Sequence, residues 1–322
     1  MSLDAWEWLG RRTYHFSRFD PAELAAAKRG TSVSVVLPAL NEERTVGAIV
    51  RCIRESLVEA VGLVDEVVVI DPGSTDDTAA VARKAGARVV AEADVLPELG
   101  RVPGKGEALW KSLHVTDGDL VVFVDADVEN IHPSFMYGLL GPLLTDPGVH
   151  YVKAFYERPL VERDRLRPTV GGRVTELVAR PLLNLHWPAL AGVIQPLSGE
   201  YAGRRSVLEQ VPFVSGYGVE LGLLVDLLDL VGLEGLAQVD LERRVHRNQD
   251  AQALGRMSFA ILQTALSRLE RQGRMTLAEP PETTLFQFKN RYREYLMRPH
   301  ELPVTERPPA RTVESYARRW RT

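Results

Sequence analysis

The chain has 322 residues, 45% of them hydrophobic and 25% charged, with a formal net charge of -4. This length supports a sizeable core, and the balance excludes both a disordered chain and one drawn to nucleic acid by overall charge. A polyanionic ligand would need a local basic pocket. The single cysteine, Cys52, excludes an intramolecular disulfide framework and a multi-cysteine zinc site, and it suits a reducing compartment.

The opening "MSLDAWEWLGRRTYHF" lacks a basic region followed by an apolar core, so no secretory signal is expected. The most apolar later stretch, "VELGLLVDLLDLVGLEGL", is broken by Asp226, Asp229 and Glu234 and falls short of a membrane span. A soluble cytoplasmic protein is expected.

Residues 1–30 read as an N-terminal arm with a short helix in "PAELAAAKRG". An alternation then begins. "SVSVVLP" is a predicted strand and "EERTVGAIVRCIRESL" an amphipathic helix; "DEVVVID", "TDDTAAVARKAG" and "ARVVAE" repeat strand, helix, strand. Past the loop "LPELGRVPGKG", a helix from about Glu107 leads into the strand "GDLVVFVDAD". Alternating β and α segments with β-branched strands predict an α/β fold, a mostly parallel sheet covered by helices. Beyond residue 150 the pattern loosens. Helices are expected in "GGRVTELVARPLLNLH", "GVELGLLVDLLDLVG" and "AQALGRMSFAILQTALSRLERQG", with a strand in "LAQVDLERRVHRN". The tail from about 278 is rich in Pro and Arg and reads as an extended arm, a candidate for packing on a partner subunit.

Ligands of parallel sheets sit beyond the carboxyl ends of the strands. Three polar turns should therefore share one edge: Asn41-Glu42-Glu43, Asp71-Pro72-Gly73-Ser74-Thr75-Asp76, and Asp125-Ala126-Asp127. Asp125 and Asp127 lie two apart, on one side of an extended chain, and two hard carboxylates suit Mg²⁺ or Mn²⁺. The plain alternative is that acidic residues only terminate a strand. Asp71 is placed to hydrogen-bond a base or ribose, although its turn also caps the next helix. Lys105 stands between Gly104 and Gly106 at a helix entrance that favours anions, or is a solvated lysine in a surface loop. Gly171-Gly172, Arg173 and Thr175 repeat that device further on, or form a surface turn. Glu220 follows two glycines at another helix start, as dipole compensation or as a contact to a hydroxylated substrate. "ERRVHRN" supplies Arg244, His246 and Asn248, where His246 is a metal-ligand candidate. No Walker loop, dinucleotide fingerprint or nucleophile elbow is present.

Together, "PALNEE", "DPGSTDDT", "GKGEAL" and "FVDAD" resemble the nucleotide-sugar half of GT-A glycosyltransferases. "GGRVTELVARPLL", "QPLSGEYAGRR", "GYGVELGLL" and "VHRN" resemble, more specifically, the actinobacterial glucosyl-3-phosphoglycerate and mannosyl-3-phosphoglycerate synthases, retaining enzymes of glycosyltransferase family 81. The likeness spans about residues 22–272. It implies a GT-A catalytic domain over 31–250, with a nucleotide-sugar half (31–130) and an acceptor half (131–250), followed by a helix and tail over 251–322. It implies a retaining transferase moving mannose or glucose to the 2-hydroxyl of 3-phosphoglycerate, for compatible-solute or polysaccharide-primer synthesis. Pro38, Ala39, Leu40, Glu42, Asp71, Gly73, Lys105, Asp125 and Ala126 would take the donor, and Asp127 with His246 the metal. Gly172, Arg173, Thr175, Arg244 and Asn248 would take the acceptor, and Glu220 the donor sugar or the acceptor hydroxyl, with Asp127 and Glu220 the catalytic pair. The implied donors are GDP-mannose, GDP-glucose or UDP-glucose, with a lean to mannose or dual specificity; the implied cofactor is Mg²⁺ or Mn²⁺, and the implied assembly a homodimer without nucleic acid or membrane. One departure is Pro72, where the glucosyl enzymes' pattern has serine. Rival readings are a polyprenyl-phosphate glycosyltransferase, a nucleotidyltransferase (which would carry a Gly-rich loop after the first strand) and a non-catalytic sugar-nucleotide sensor.

Overall fold

The structure is a computed structural model that describes residues 3–157, 160–162, 165–167, 172–245, 250–292 and 294–320. Its centre is an eight-stranded sheet of β1 (Thr13–His15), β2 (Val33–Pro38), β3 (Glu66–Asp71), β4 (Arg88–Ala91), β5 (Leu120–Phe123), β6 (Tyr151–Glu157), β7 (Tyr201–Arg204) and β8 (Leu236–Arg243). The spatial order is β1-β8-β6-β7-β5-β2-β3-β4. Every pairing is parallel except those of β7, which runs antiparallel between β5 and β6.

Strand alternation sorts the apolar side chains onto two faces. Val36, Val68, Ile70, Val121 and Phe123 enter one core with the helices Lys105–Val115 and Val219–Val231. Val35, Leu37, Val67, Val69 and Val122 enter the other, with the helices Val46–Ile53 and Ser134–Thr145. Each fully buried Val or Leu contributes about 1.5–3 kcal/mol, so a one-residue register slip would expose an entire face.

Two segments carry more structure than their sequence reading, although the short helix expected in "PAELAAAKRG" is present as Pro21–Ala27. Residues 3–30 are not a free arm: the helix Leu3–Arg12 buries Trp8, whose indole N–H donates to the Leu236 carbonyl at 2.9 Å, and Thr13–His15 adds the edge strand beside β8. The tail folds back on its own chain. It forms an antiparallel hairpin (Thr284–Arg291 with Glu294–Glu301), a short strand Glu306–Arg307 paired with Phe213–Val214, and a last helix Glu314–Trp320. Strands β6 and β7 were also missed, because a lysine inside "YVKAFYE" and a glycine inside "YAGR" blur their apolar pattern. Among the described residues, no helix is long and apolar enough to cross a membrane.

Candidate active site

The three polar turns do meet at the carboxyl ends of β2, β3 and β5. The Asn41 amide N–H donates to Ser74 Oγ at 3.0 Å, the Thr75 N–H to Asn41 Oδ1 at 2.8 Å, and the Glu42 N–H to Thr78 Oγ1 at 2.7 Å. Asn41 takes a left-handed φ of 58° to do this, a conformation asparagine tolerates well. Thr45 Oγ1 donates to the Ala126 carbonyl at 2.6 Å, tying the third turn to the first. Asp71 Oδ1 accepts from the Gly73 and Ser74 amides at 3.0 and 2.7 Å. That carboxylate first shapes its own loop, and Gly73 turns at φ +106°. Pro72 joins through its carbonyl, which accepts from Arg101 Nη2 at 2.8 Å. Ala39 is buried and Leu40 exposed, leaving the Leu40 side chain at the rim.

Asp125 and Asp127 lie in the turn after β5 and not on the strand itself. They are nonetheless brought together by one cation. Arg244 Nη2 lies 3.0 Å from Asp125 Oδ2 and 2.7 Å from Asp127 Oδ1. The same guanidinium sits 3.1 Å from Glu200 Oε1 through Nε, an ion pair whose angle falls outside hydrogen-bond geometry. Tyr156 OH donates to Glu200 Oε2 at 2.6 Å. On the other side, Lys105 Nζ bridges Asp125 Oδ1 at 2.5 Å and Glu220 Oε1 at 3.0 Å.

Two features of the sheet build this cluster. Because β7 is antiparallel, its entry loop arrives at the carboxyl edge of β5 and β6, delivering Ser198, Gly199 and Glu200 beside Asp125. A Cβ on Gly199 would fall 1.9 Å from Asp125 Oδ2, so only glycine allows that approach. In β8 the register against β6 shifts by one residue between Asp240 and Arg243, with Glu242 at φ 62°. Such a bulge turns the alternation over and re-aims the side chains beyond it, and Arg244 then meets Tyr156.

Burial sets the electrostatics. It works against the Lys105 charge, but Asp125 and Glu220 outweigh it and hold the ammonium well above its ordinary range. Burial, then Asp125, pushes the Asp127 carboxyl up against the pull of Arg244 and Lys105. Burial likewise raises Glu200, opposed by Arg244. Lys153 is buried, donates to the Ser198 carbonyl at 2.9 Å and lies over the Tyr201 ring; its ammonium is lowered to about 7, burial outweighing Glu220.

The Lys105 glycines serve the protein's own backbone. A Cβ on Gly104 would meet the Ser215 carbonyl at 2.3 Å, and one on Gly106 the Val214 carbonyl at 1.8 Å. Gly172, Arg173 and Thr175 open the expected helix. The Gly172 carbonyl accepts from the Glu176 amide, Thr175 is buried and Arg173 exposed. That helix is tied to the loop before β7 by Arg180 Nη2, which donates to the Ile194 carbonyl at 2.7 Å. Arg244, expected beside the acceptor, pairs with Asp125, Asp127 and Glu200. His246 and Asn248 lie outside the described residues. Sequence reasoning missed Glu200, Tyr156 and Lys153; the signal was "SGEY" entering an apolar strand.

The donor set fits a hard divalent cation in part. Two carboxylates converge on one point, and among the described residues no group of three His, Cys, Asp or Glu forms a complete cage. A site that draws its other oxygens from a bound diphosphate and water has this form.

A parallel sheet with paired aspartates and a lysine at its carboxyl edge is the architecture of GT-A glycosyltransferases, and the "Glycosyl transferase family 2" pattern matches residues 34–211. The glucosyl-3-phosphoglycerate synthase of Petrotoga mobilis is 47% identical over 309 residues, 95% of each chain. The crystal structure of mannosyl-3-phosphoglycerate synthase from Rubrobacter xylanophilus superposes with a TM-score of 0.88 at 39% identity, covering 96% of this chain and 98% of that one. Glucosyl-3-phosphoglycerate synthase from Mycobacterium tuberculosis, in complex with Mn²⁺, uridine-diphosphate-glucose and phosphoglyceric acid, superposes with a TM-score of 0.79 at 46% identity, covering 91% and 95%. The chain belongs to the family of the glucosyl- and mannosyl-3-phosphoglycerate synthases. It is a hexosyltransferase with the GT-A fold.

Proposed function

We propose that the chain transfers glucose from UDP-glucose to the 2-hydroxyl of 3-phosphoglycerate, with retention at the anomeric carbon. The observation that carries the reading is the convergence of Asp125 and Asp127 on Arg244 at the strand edge, with Lys105 between Asp125 and Glu220. Glucose replaces the lean to mannose because the Petrotoga relative, matched along 95% of both chains, is a glucosyl enzyme.

In this reading the Pro38–Glu42 turn, Asp71 and Gly73 hold the nucleoside, and Lys105 exchanges a carboxylate for the diphosphate. Asp127, joined by His246 on the family resemblance, would hold Mg²⁺ or Mn²⁺. Bound there, the cation offsets the charge that grows on the leaving diphosphate. Gly172, Arg173 and Thr175 hold the acceptor phosphate and carboxylate through N–H groups, a guanidinium and a hydroxyl, with Asn248 assigned there by resemblance. Glu220 contacts the sugar. Its ion pair with Lys105 favours that positioning role over attack on carbon, so the 2-hydroxyl adds on the face the diphosphate leaves and its proton passes to the departing phosphate oxygen. Phosphorylated substrates and a single, half-buried cysteine support a cytoplasmic location.

A homodimer is part of the reading. One face of the tail hairpin carries Phe286, Phe288, Tyr295 and Met297, each more than half exposed, and a patch of this kind marks an interface.

The test offers UDP-glucose, GDP-glucose and GDP-mannose in parallel with 3-phosphoglycerate and Mn²⁺ or Mg²⁺, with Asp127→Ala as control. Glucosyl-3-phosphoglycerate that vanishes in the variant is the expected result; product from no donor refutes the acceptor. The likeness to the Rubrobacter structure favours a second reading, mannosyl transfer, and preference for GDP-mannose would select it.

A further inference from the structure

Lys105 and Glu220 sit at the starts of two helices, Lys105–Val115 and Val219–Val231, and their 3.0 Å contact depends on how those helices lie. The tail reaches the first directly and the second through the arginines of a third helix. Arg307 donates to Glu107 through Nε and Nη2, each at 2.7 Å, and to the Leu99 and Gly100 carbonyls at 3.1 and 2.9 Å. Glu107 has no exposure, so this pair is fully committed. The preceding residue, Glu306, is linked to the second helix through a third, Ala251–Arg271: it pairs with that helix's Arg268 and, at 3.4 Å, with its Arg271, and both arginines pair with Asp226 of the second helix.

The backbone makes a third connection. Glu306–Arg307 pairs antiparallel with Phe213–Val214, and the Ser215 N–H donates to the Thr305 carbonyl at 2.9 Å. The Ser215 carbonyl in turn accepts from the Glu107 N–H at 3.3 Å, and it is the atom against which Gly104 packs. Two consecutive tail residues thus brace the first helix directly, the second through Arg268 and Arg271, and the turn that seats the Lys105 loop.

We propose that the C-terminal strand Glu306–Arg307 is a strap that positions the Lys105–Glu220 pair for the nucleotide sugar, with Arg307 as its principal positioning residue. A segment some two hundred residues distant in sequence then governs donor affinity without touching the donor. The inference rests on the reading that Lys105 binds the donor diphosphate.

The experiment compares full-length Lys105→Ala, Arg307→Ala and the double variant by KM for UDP-glucose and 3-phosphoglycerate, kcat, and calorimetric Kd for UDP with Mn²⁺. Arg307→Ala is expected to raise the donor KM and the UDP Kd about tenfold while the acceptor KM stays within about twofold. The double variant should bind UDP no worse than Lys105→Ala alone, because the strap acts through that side chain. Arg307→Lys, which keeps the charge and loses the fork, should fall between; it also serves if Arg307→Ala does not fold. A lower melting temperature with unchanged KM and Kd, or additive losses in the double variant, would overturn the strap while leaving Lys105 in its role. If Lys105→Ala itself leaves the UDP Kd unchanged, the diphosphate assignment falls and the strap with it.

Discussion

Arg244 Nη2 donates to Asp127 Oδ1 at 2.7 Å, across 117 residues of sequence, while the same nitrogen holds Asp125. The guanidinium therefore fixes the spacing of both carboxylates. Glu200, buried beneath it, depends on Arg244 and Tyr156 for compensation. Removing one member of a buried ionic cluster costs about 3–5 kcal/mol. Arg244→Ala should lose stability on that scale and turnover by about a hundredfold or more. Arg244→Lys should recover much of the stability and little turnover, since a point charge cannot span three carboxylates. Urea unfolding beside initial rates checks this.

Gly199→Ala tests the loop before β7. The added methyl would fall on Asp125 Oδ2, so the aspartate must turn away or the loop retreat, at about 1–3 kcal/mol. A Mn²⁺ titration of activity should show half-saturation shifted upward about tenfold or more. An unchanged titration would show that the placement of Asp125 does not affect the metal held by its neighbour Asp127.

Lys153 makes a prediction with a defined sign. Its folded pKa is about 7 and its ordinary value 10.5. Between these the unfolded chain holds a proton that the folded chain lacks, so stability contributed by this group rises with pH across that window and is at its lowest below about 7. Lys153→Met removes the term. The stability of the parent relative to the variant should climb between pH 7 and pH 10 with a slope approaching ~1.4 kcal/mol per unit. Parallel denaturant melts at several pH values read it, and a flat difference would refute the lowered pKa.

Phe288→Asp tests the tail hairpin. Phe288 stands opposite Met297 on the apolar face, 59% exposed in the single chain. A charge there cannot be buried against a second copy without losing several kcal/mol. Sedimentation should find the parent dimeric and the variant monomeric at micromolar concentration, with the monomer's melting profile little changed. A monomeric parent would refute the dimer.

Much of residues 31–130 was legible. The β2, β3 and β5 sequences are short β-branched runs ended by polar turns, and buried parallel strands allow little else. Asp125 and Asp127 point to a site because they share an edge with two other polar strand-end turns; acidic residues after a strand can by themselves be mere terminators. Beyond residue 150 the helices were legible, yet β6 and β7 were not, since Lys153 and Gly203 interrupt runs whose partners lie far along the chain. Arg244 is legible as a binding residue, but its contacts with Asp125, Asp127 and Glu200 are not. Its direction depends on a one-residue bulge at Glu242, which leaves no mark in the hydrophobic pattern.

What the sequence determined by itself is local: where strands end, which turns carry carboxylates, and which helix entrances carry Lys105, Arg173 and Glu220. Periodicity and turn chemistry act over a few residues, so they can be read in order along the chain. What only the tertiary structure decided is which charges face each other: Arg244 with Asp125, Asp127 and Glu200, and Arg307 with Glu107. Those pairings arise from one antiparallel strand, one bulge and the return of the tail. Each is a choice of register or path, stabilised by burial summed over the whole core.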